Sequence, residues 1–599
     1  MDDGPDSMEQ DDRSGIVKGE EASGTASRQP KRPPPETPEN VWLRQRVVTS
    51  FWIVVILLGV PVWLWTTSIP RSGLPLEDMQ AWADGRACKP AFPLRISIQA
   101  PDLQKAEAEH LTRLTQHALD DQNEFSAHHL RLKLRGGAHS SIHLNGSVSN
   151  EVSATDNNLD LFVDPTRTED DALTVRLETD STLTSTEAEL QDHSRLLRIL
   201  HPGHLVPSIT SSTSSLSGYI AAKLQELFYE EQGMIEYILT SSHTLSGQST
   251  HQSSSASRDS RPRSSRLIHP ELAAKLASRM TRSVQYAPTY HLTFSLFTPA
   301  ATPSNWEIES AIVENLSPLL DALSVVSNFT VDTQVQLHAK FAPSVHPPEF
   351  DETAGVWTLR DEDLSGFVNA AEWPLSPSIG EGSTLNFILY VPESQHTPLV
   401  VKSNHASNWL VPQWGGVSIL NLADDDGTSR GKILSKAMIQ PPLLIFSHQL
   451  LSLLGAPQTP QSLPLQLQTL TRTRAASLLL SASSTMGSLA RLTVALPSIA
   501  IPETVSTAVE STLDHLRSTC SALKAGHFQQ ALNHARIAEA QAERGFFEKS
   551  MVGQVYFPDE HKVAVYLPLL GPIGVPLLMN ALKEVRKAFA ARRAKRRVG

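Results

Sequence analysis

The chain contains two thiols, Cys88 and Cys520, and a thiolate is the strongest candidate nucleophile among its side chains. Cys88 sits between Arg86 and Lys89, basic neighbours that lower a thiol's pKa. Cys520 lies on an apolar stripe, where a buried, inert thiol is the usual outcome. Neither has a local protease signature, and HExxH, GxSxG, GxxxxGK[ST] and GxGxxG are all absent. The two cysteines could instead form one disulfide, which their spacing alone does not decide. Two cysteines also exclude a CxxC zinc site and a disulfide-dense scaffold. Asp424-Asp425-Asp426-Gly427 has the residue types that a metal-dependent glycosyltransferase uses. It lacks the spacing and distal Glu of a calcium loop, and reads as a solvated turn. No catalytic residue, metal site or cofactor is expected.

Other residues suit modification or contact rather than catalysis. Asn145 and Asn328 head N-x-S/T sequences and are the candidate glycosylation sites. Asn315 heads a third, but falls inside an expected helix with Pro318 close behind. Trp414-Gly415-Gly416 is a candidate interface or tight-turn element: Trp anchors interfaces, and glycine permits backbone approach that a side chain blocks. Pro568, Pro572 and Pro576 recur every four residues. Each lacks an N–H, so the carbonyls of Ala564, Pro568 and Pro572 lose helical partners along one face. That face is a candidate kink, packed on a partner helix or lining a lipid site.

The elements that would position these residues begin with two apolar runs. Val47–Pro70 is free of charge, as is the stretch between Lys562 and Lys583. About 20 helical residues cross a ~30 Å hydrocarbon core, so each is long enough. Trp52, Trp63 and Trp65 suit the membrane interface. The first run is too long for a signal-peptide core and follows 46 mostly polar residues, so it reads as an uncleaved anchor. Of the net charge of −12, residues 1–46 carry −3 and residues 583–599 carry +7, which leaves −16 for the part between. Basic residues outside the two spans place both termini in the cytoplasm and the acidic body in a secretory-pathway lumen. The basic tail could also meet anionic lipid. An acidic body argues against nucleic-acid binding.

The expected organisation is a disordered tail over 1–46, a first membrane helix over 47–67 and a lumenal α/β domain over 68–500. A flexible Ser-rich insertion falls at about 240–266. A lumenal helical pair and connector over 501–562 leads to a second membrane helix over 563–582 and a basic tail over 583–599. Within the body, Leu103–Ala118 and Leu216–Tyr229 have helical spacing. Leu130–Arg135 alternates and, with Gly136-Gly137 before Ile142 and Leu144, signals a hairpin. Strands are expected at Leu159–Val163, Leu173–Leu177, Tyr290–Phe297, Leu385–Val391 and Val417–Leu420. Ser304-Asn305-Trp306-Glu307 reads as a capping box opening one helix through Leu323. Alternating helix and strand give a large mixed α/β domain, with the helical pair after Pro502.

Tyr290–Phe297, Trp306–Leu323, Asn328–Gln334, Leu385–Glu393, Asn408–Asn421, Ser484–Leu492 and Tyr556–Leu578 together resemble the PIG-S family. The resemblance runs between the two membrane segments and weakens in the Ser-rich tract and the tails. It implies a noncatalytic subunit of the glycosylphosphatidylinositol (GPI) transamidase of the endoplasmic reticulum, a complex that joins precursor C-termini to GPI lipid. The implied partners are the other subunits, including a caspase-like cysteine protease, and membrane lipid, in particular the GPI lipid. The alternative from another class is a membrane-tethered lumenal enzyme, such as a glycosyltransferase using Asp424–Asp426.

Overall fold

The structure, a computed structural model, describes residues 37–59, 61–62, 65, 71–123, 125–135, 171–245, 270–341, 343–364, 367, 382–422, 433–497, 499–551 and 560–598. They fall into two units, residues 1–69 with 558–599, and residues 70–557. In the first unit α1 (Pro38–Val54) opens on a proline, whose missing N–H is harmless at that position. A π-helical turn, Val55–Gly59, continues it. The helix therefore starts nine residues before the apolar run, and residues 38–46 are helical rather than part of a disordered tail. Pro38–Gly59 is long and apolar enough to cross a membrane, and none of it is buried in protein.

The second unit begins with α2 (Leu76–Ala83), β1 (Phe92–Gln99), α3 (Lys105–Gln122), β2 (His128–Leu134), β3 (Asp171–Thr179), β4 (Glu187–Leu190) and β5 (Leu196–His201). These strands form a sheet of order β2-β1-β3-β5-β4, parallel except for β4. The alternating segment at Leu130 thus pairs in parallel with β1 instead of turning into a hairpin. The crossover through α3 makes that pairing feasible, since parallel neighbours need a long connection. Gly136-Gly137, Ile142, Leu144 and Leu159–Val163 lie outside the described residues.

Two helices follow, α4 (Ser215–Leu245) and α5 (Pro270–Arg282). Thr240–Leu245 extends α4 into the expected insertion, with the Thr240 hydroxyl donating to the Glu236 carbonyl at 2.8 Å. Next come β6 (Thr289–Thr298), β7 (Asn305–Trp306), α6 (Ile308–Asn315), α7 (Ser317–Leu323), β8 (Asn328–Leu337), β9 (Glu349–Asp351), β10 (Val356–Leu359), β11 (Ser383–Tyr390), β12 (Leu399–Val401), β13 (Asn408–Val411), β14 (Gly415–Ile419) and β15 (Ile433–Leu434). The main sheet here has order β13-β14-β11-β6-β8, parallel except for β13. Counted from the first strand of each, both five-stranded sheets therefore follow one plan, 2-1-3-5-4 with the fourth strand reversed. Helices also recur in the same places: α3 and α6–α7 after the first strand, α4 and α8 (Lys436–Leu453) after the fifth.

The capping box at Ser304 does not form. Asn305-Trp306 is drawn into β7, paired with β15. The Glu307 carboxylate accepts the backbone N–H of Lys436 at 2.9 Å, capping the start of α8 instead of its own helix. Pro318 then divides the expected single helix into α6 and α7.

The chain returns to the first sheet through α9 (Leu463–Ala495), α10 (Glu503–Ala525) and α11 (Phe528–Phe546). Gly526, at φ +82°, ends α10 in the left-handed conformation that glycine favours. Leu479, Met486, Val509, Leu516 and Ala535 share one core with Leu94, Ile96, Val175 and Ile199. A second core lies between β6, β11 and α6–α8. In the first unit, α12 (Glu560–Val598) is assigned as one continuous helix.

Where the chain passes between the two sheets, two adjacent glutamates of α4 hold it. Consecutive helical residues point about 100° apart, so Glu230 and Glu231 address different partners. Glu230 accepts hydrogen bonds from Arg279 of α5, from Thr459 N at 2.8 Å and from the Thr459 hydroxyl at 2.6 Å. The outgoing helix and the returning loop therefore meet on one carboxylate. Glu231 takes a bidentate Arg472 of α9, both bonds 2.6 Å, and the Thr469 hydroxyl at 2.6 Å. Both residues of this pair are about 2% exposed. Burial alone pushes both carboxyls up, but the bonds outweigh it and hold both below the usual carboxylate range.

Glu231→Gln should destabilise the folded chain by about 3–5 kcal/mol, because Arg472 is left buried and unpaired. The paired change Glu231→Leu with Arg472→Met should recover much of that loss. Denaturant unfolding of the two variants against the parent, followed by tryptophan fluorescence, checks the ordering.

Candidate functional site

Trp414, Gly415 and Gly416 occupy the hairpin joining β13 to β14, with Trp409 opposite Val417 and Val411 opposite Gly415. The loop backbone is tied on both sides. Gln413 N donates to Arg282 O at 3.0 Å, and the Trp414 carbonyl accepts Asn386 N at 3.0 Å. Gly415, at φ +154°, lies so close to β11 that a Cβ would strike the Asn386 carbonyl. At Gly416 a Cβ would strike the carboxamide of Gln449, a buried residue of α8 whose Nε2 donates to Trp409 O at 3.0 Å. The glycines are thus buried where a strand and a helix approach the hairpin, while Trp414 is half-buried beside an aromatic cluster.

That cluster fills the end of the second sheet. Phe367 stacks edge-on against Tyr390 and Trp409 at 5.0 and 5.1 Å, and Phe341 lies 5.5 Å from Tyr390. Burial raises the Tyr390 phenol above its ordinary range. In sheets of this kind ligands enter beyond the carboxyl ends of the strands, where the order reverses. Here that position, after β6 and β11, is packed with Phe297, Tyr390, Phe367 and Leu399.

Asn328 begins β8, an edge strand, with its side chain exposed. The Thr330 hydroxyl of its sequon contacts His291 Nδ1. Asn315 ends α6 and donates its amide to Ala311 O at 2.9 Å. Asn145 and Asp424–Asp426 lie outside the described residues. Pro568, Pro572 and Pro576 lie within α12, each exposed.

Cys88 and Cys520 are joined in a disulfide that closes 432 residues, so neither presents a thiol. It belongs to a seam along the start of the body. Ser72 N donates to Ile501 O at 2.8 Å, Ser506 Oγ to Gly73 O at 3.1 Å, and Arg517 pairs with Asp78 at 3.0 Å. The entry segment is thereby sewn to α10.

Residues outside the expected set carry the perturbed charges. Besides Glu230 and Glu231, the Glu539 carboxyl of α11 is pushed up to about 7 by burial and then by neighbouring Glu543. It accepts the Ser481 hydroxyl of α9 at 2.6 Å on Oε1, while Oε2 is buried without a partner. His515 and His534 face each other with Nδ1 atoms 3.0 Å apart. Among the described residues, no group of three or more His, Cys, Asp or Glu is arranged to hold a metal ion.

These features define a membrane-type helix joined in sequence to a disulfide-linked, doubled α/β body whose cysteines are not available for catalysis. A family described as "Phosphatidylinositol-glycan biosynthesis class S protein", PIG-S, matches residues 50–591, and the chain belongs to that family. It is 30% identical over 326 residues to the "GPI transamidase component PIG-S homolog" of Schizosaccharomyces pombe, covering 53% of this chain and 57% of the relative. Over 342 residues it is 30% identical to the "GPI-anchor transamidase component PIGS" of Homo sapiens, covering 53% and 61%. The "GPI transamidase component GPI17" of Saccharomyces cerevisiae is 28% identical over 326 residues, covering 50% and 59%. The matches thus span about three fifths of these relatives.

Gly415→Ala should destabilise by about 3 kcal/mol, since a backbone carbonyl stands in the way. Gly416→Ala, which displaces only the Gln449 side chain, should lose about 1–2 kcal/mol. Urea midpoints of the two variants test the ranking.

Glu539 predicts a pH effect of definite sign. Between its ordinary value of 4.5 and about 7 the folded chain holds a proton that the unfolded chain releases, so stability falls as pH rises through this window. Glu539→Gln should flatten that fall and leave the variant on the order of 1 kcal/mol more stable than the parent at pH 8. Unfolding curves at pH 5 and pH 8 measure it.

Proposed function

We propose that this chain is a noncatalytic structural subunit of the endoplasmic reticulum GPI transamidase, supporting attachment of GPI anchors to the C-termini of precursor proteins. Membership of the PIG-S family carries this reading, because the relatives named above are transamidase components. The oxidised state of both cysteines agrees with it: the nucleophile for acyl transfer would belong to the caspase-like subunit. A disulfide also persists best on the oxidising side of the membrane, which favours a lumenal body.

In this reading the two spans are residues 47–67 and 563–582, both termini are cytoplasmic and residues 68–562 are lumenal. Asn328, exposed on its edge strand, is the stronger glycan acceptor, with Asn145 the second. The proline face of α12 meets a neighbouring helix or the GPI lipid, satisfying the carbonyls that its prolines leave unbonded. The Trp414 hairpin acts chiefly as a tight turn. The body's role is geometric: it braces the catalytic subunit so that the peptide carbonyl and the lipid amine meet, an effective-concentration effect.

Affinity purification of the full chain from digitonin-solubilised microsomes should recover a stoichiometric complex containing a cysteine-protease chain. Cells depleted of the protein should lose surface GPI-anchored proteins. In sealed microsomes the body should resist added protease, and its two cysteines should react with maleimide only after reduction. Recovery of the chain alone with transamidase or glycosyltransferase turnover, or cleavage of the body in sealed vesicles, would falsify the proposal.

A further inference from the structure

The first unit contains a groove that neither the fold nor the proposed role explains. Trp52, Ile53 and Ile56 on the α1 side and Leu578, Leu582 and Val585 of α12 line a space of about 680 Å³. That volume falls in the ~300–1,000 Å³ range of small-ligand sites, although the space is an open groove rather than an enclosed cavity. At one end Arg44 of α1 pairs with Glu584 of α12 at 3.1 Å, which holds the two helices in register. A shallow hollow open to the surface, formed by α1 alone, adjoins it and is lined by Trp42, Arg46 and Ser50. The two share Gln45, Thr49 and Ile53.

The chemistry changes along this path. The larger groove is walled mostly by aliphatic side chains and an indole, together with Gln45, Thr49 and the Glu584 carboxylate, whereas the smaller hollow offers a guanidinium, a carboxamide and two hydroxyls. The Arg46 guanidinium lies 4.2 Å over the Trp42 ring, held in place while remaining exposed. Arg44 and Lys587 both pair with Glu584, the latter at 3.7 Å, and offset its charge, while Lys583 and Arg586 flank it along α12 and add positive charge outside the groove lining. Apolar wall, polar mouth and cationic rim complement a molecule with a hydrocarbon tail and an anionic head. Basic pockets between membrane helices on the cytoplasmic side bind such head groups.

We propose that this groove, with its adjoining hollow, holds one anionic glycerophospholipid of the cytoplasmic leaflet. Its acyl chain lies against Trp52, Ile53, Leu578 and Leu582, and its phosphate beside Arg46, Gln45 and Thr49. The site is separate from the proline face of α12, which begins at Pro568 and ends before Leu578. It rests on the reading of α1 and α12 as membrane spans.

The test uses the full chain, purified with its partners in mild detergent and equilibrated with equal amounts of 1-palmitoyl-2-oleoyl phosphatidylserine and phosphatidylcholine. Native mass spectrometry then counts the bound lipid. The parent should retain phosphatidylserine over phosphatidylcholine by about fivefold or more. Arg46→Gln should bring the ratio towards one with total lipid unchanged, and Leu582→Trp, which fills the groove, should reduce both. Should Leu582→Trp fail to assemble, Ala581→Leu narrows the same wall more mildly. Equal retention of the two lipids by the parent, or an unchanged ratio in Arg46→Gln, overturns the proposal. So does a photo-crosslinker at position 582 that captures only protein, which would put a partner helix in the groove. Carbonate extraction of the chain from microsomes would instead defeat the membrane reading itself, so the two failures are distinguishable.

Discussion

Two adjacent buried carboxylates are the constraint on which the architecture turns. The chain leaves the first sheet through α5, builds the second sheet, and returns through the loop at Gln458 and Thr459 into α9. Glu230 binds both crossings, and Glu231 fixes the helix that follows. Burying two negative charges is unfavourable by several kcal/mol each unless every oxygen is satisfied. Here Arg279, Arg472, the Thr459 backbone and the hydroxyls of Thr459 and Thr469 supply the donors. Apolar residues of similar volume could give comparable stability, but not the same directionality. An arginine fork accepts one carboxylate geometry, and here it sets how α9 lies against α4.

The likeness of those sheets sharpens the point. Each follows the order 2-1-3-5-4 with one reversed strand and helices at corresponding places, although the two segments differ in sequence. Their surroundings differ too. The first sheet is covered by α9, α10 and α11, while the second closes its strand ends with Phe341, Phe367, Tyr390 and Trp409. In doubly wound sheets that end is where ligands are bound. Here the chain's own aromatic rings occupy it.

The sequence revealed strands and helices where one pattern dominated. Tyr290–Phe297 alternates and forms β6; Leu103–Ala118 has a helical stripe and forms α3. It was silent on α9, whose 33 residues are buried on nearly every side. With most of its threonines and alanines, and Arg472, inward, no polar face contrasts with an apolar one, and periodicity vanishes. The hairpin at Leu130 and the box at Ser304 failed for a shared reason. Local signals were overruled by partners distant in sequence: β1 for one, and β15 with the α8 terminus for the other. For the candidate site, Gly415 and Gly416 were visible as glycines, but not what crowds them. Asn386 and Gln449 are distant in sequence. The Glu230-Glu231 doublet lies just past the expected helix Leu216–Tyr229, and nothing local in sequence signals that the helix continues or that both carboxylates are buried.

The seam at the start of the body gives the remaining step. A scaffold tethered by chain ends transmits force and orientation only if those ends are fixed to the body, since a frayed terminus acts as a flexible linker. Residues 71–88 are fixed by backbone bonds to Ile501, by Arg517 on Asp78 and covalently by Cys88 to Cys520. Cross-linking a loop of 432 residues removes a large share of the unfolded chain's freedom, on the order of 4 kcal/mol or more in the chain-entropy model. Its effect on orientation is separate from its effect on stability. With the entry segment clamped to α10, the first residues of the body cannot peel away without breaking a covalent bond. The body is therefore held at its N-terminal boundary by a covalent bond of the kind that oxidising compartments maintain. That gives a mostly parallel α/β fold an entry segment that moves with the body rather than as a free linker.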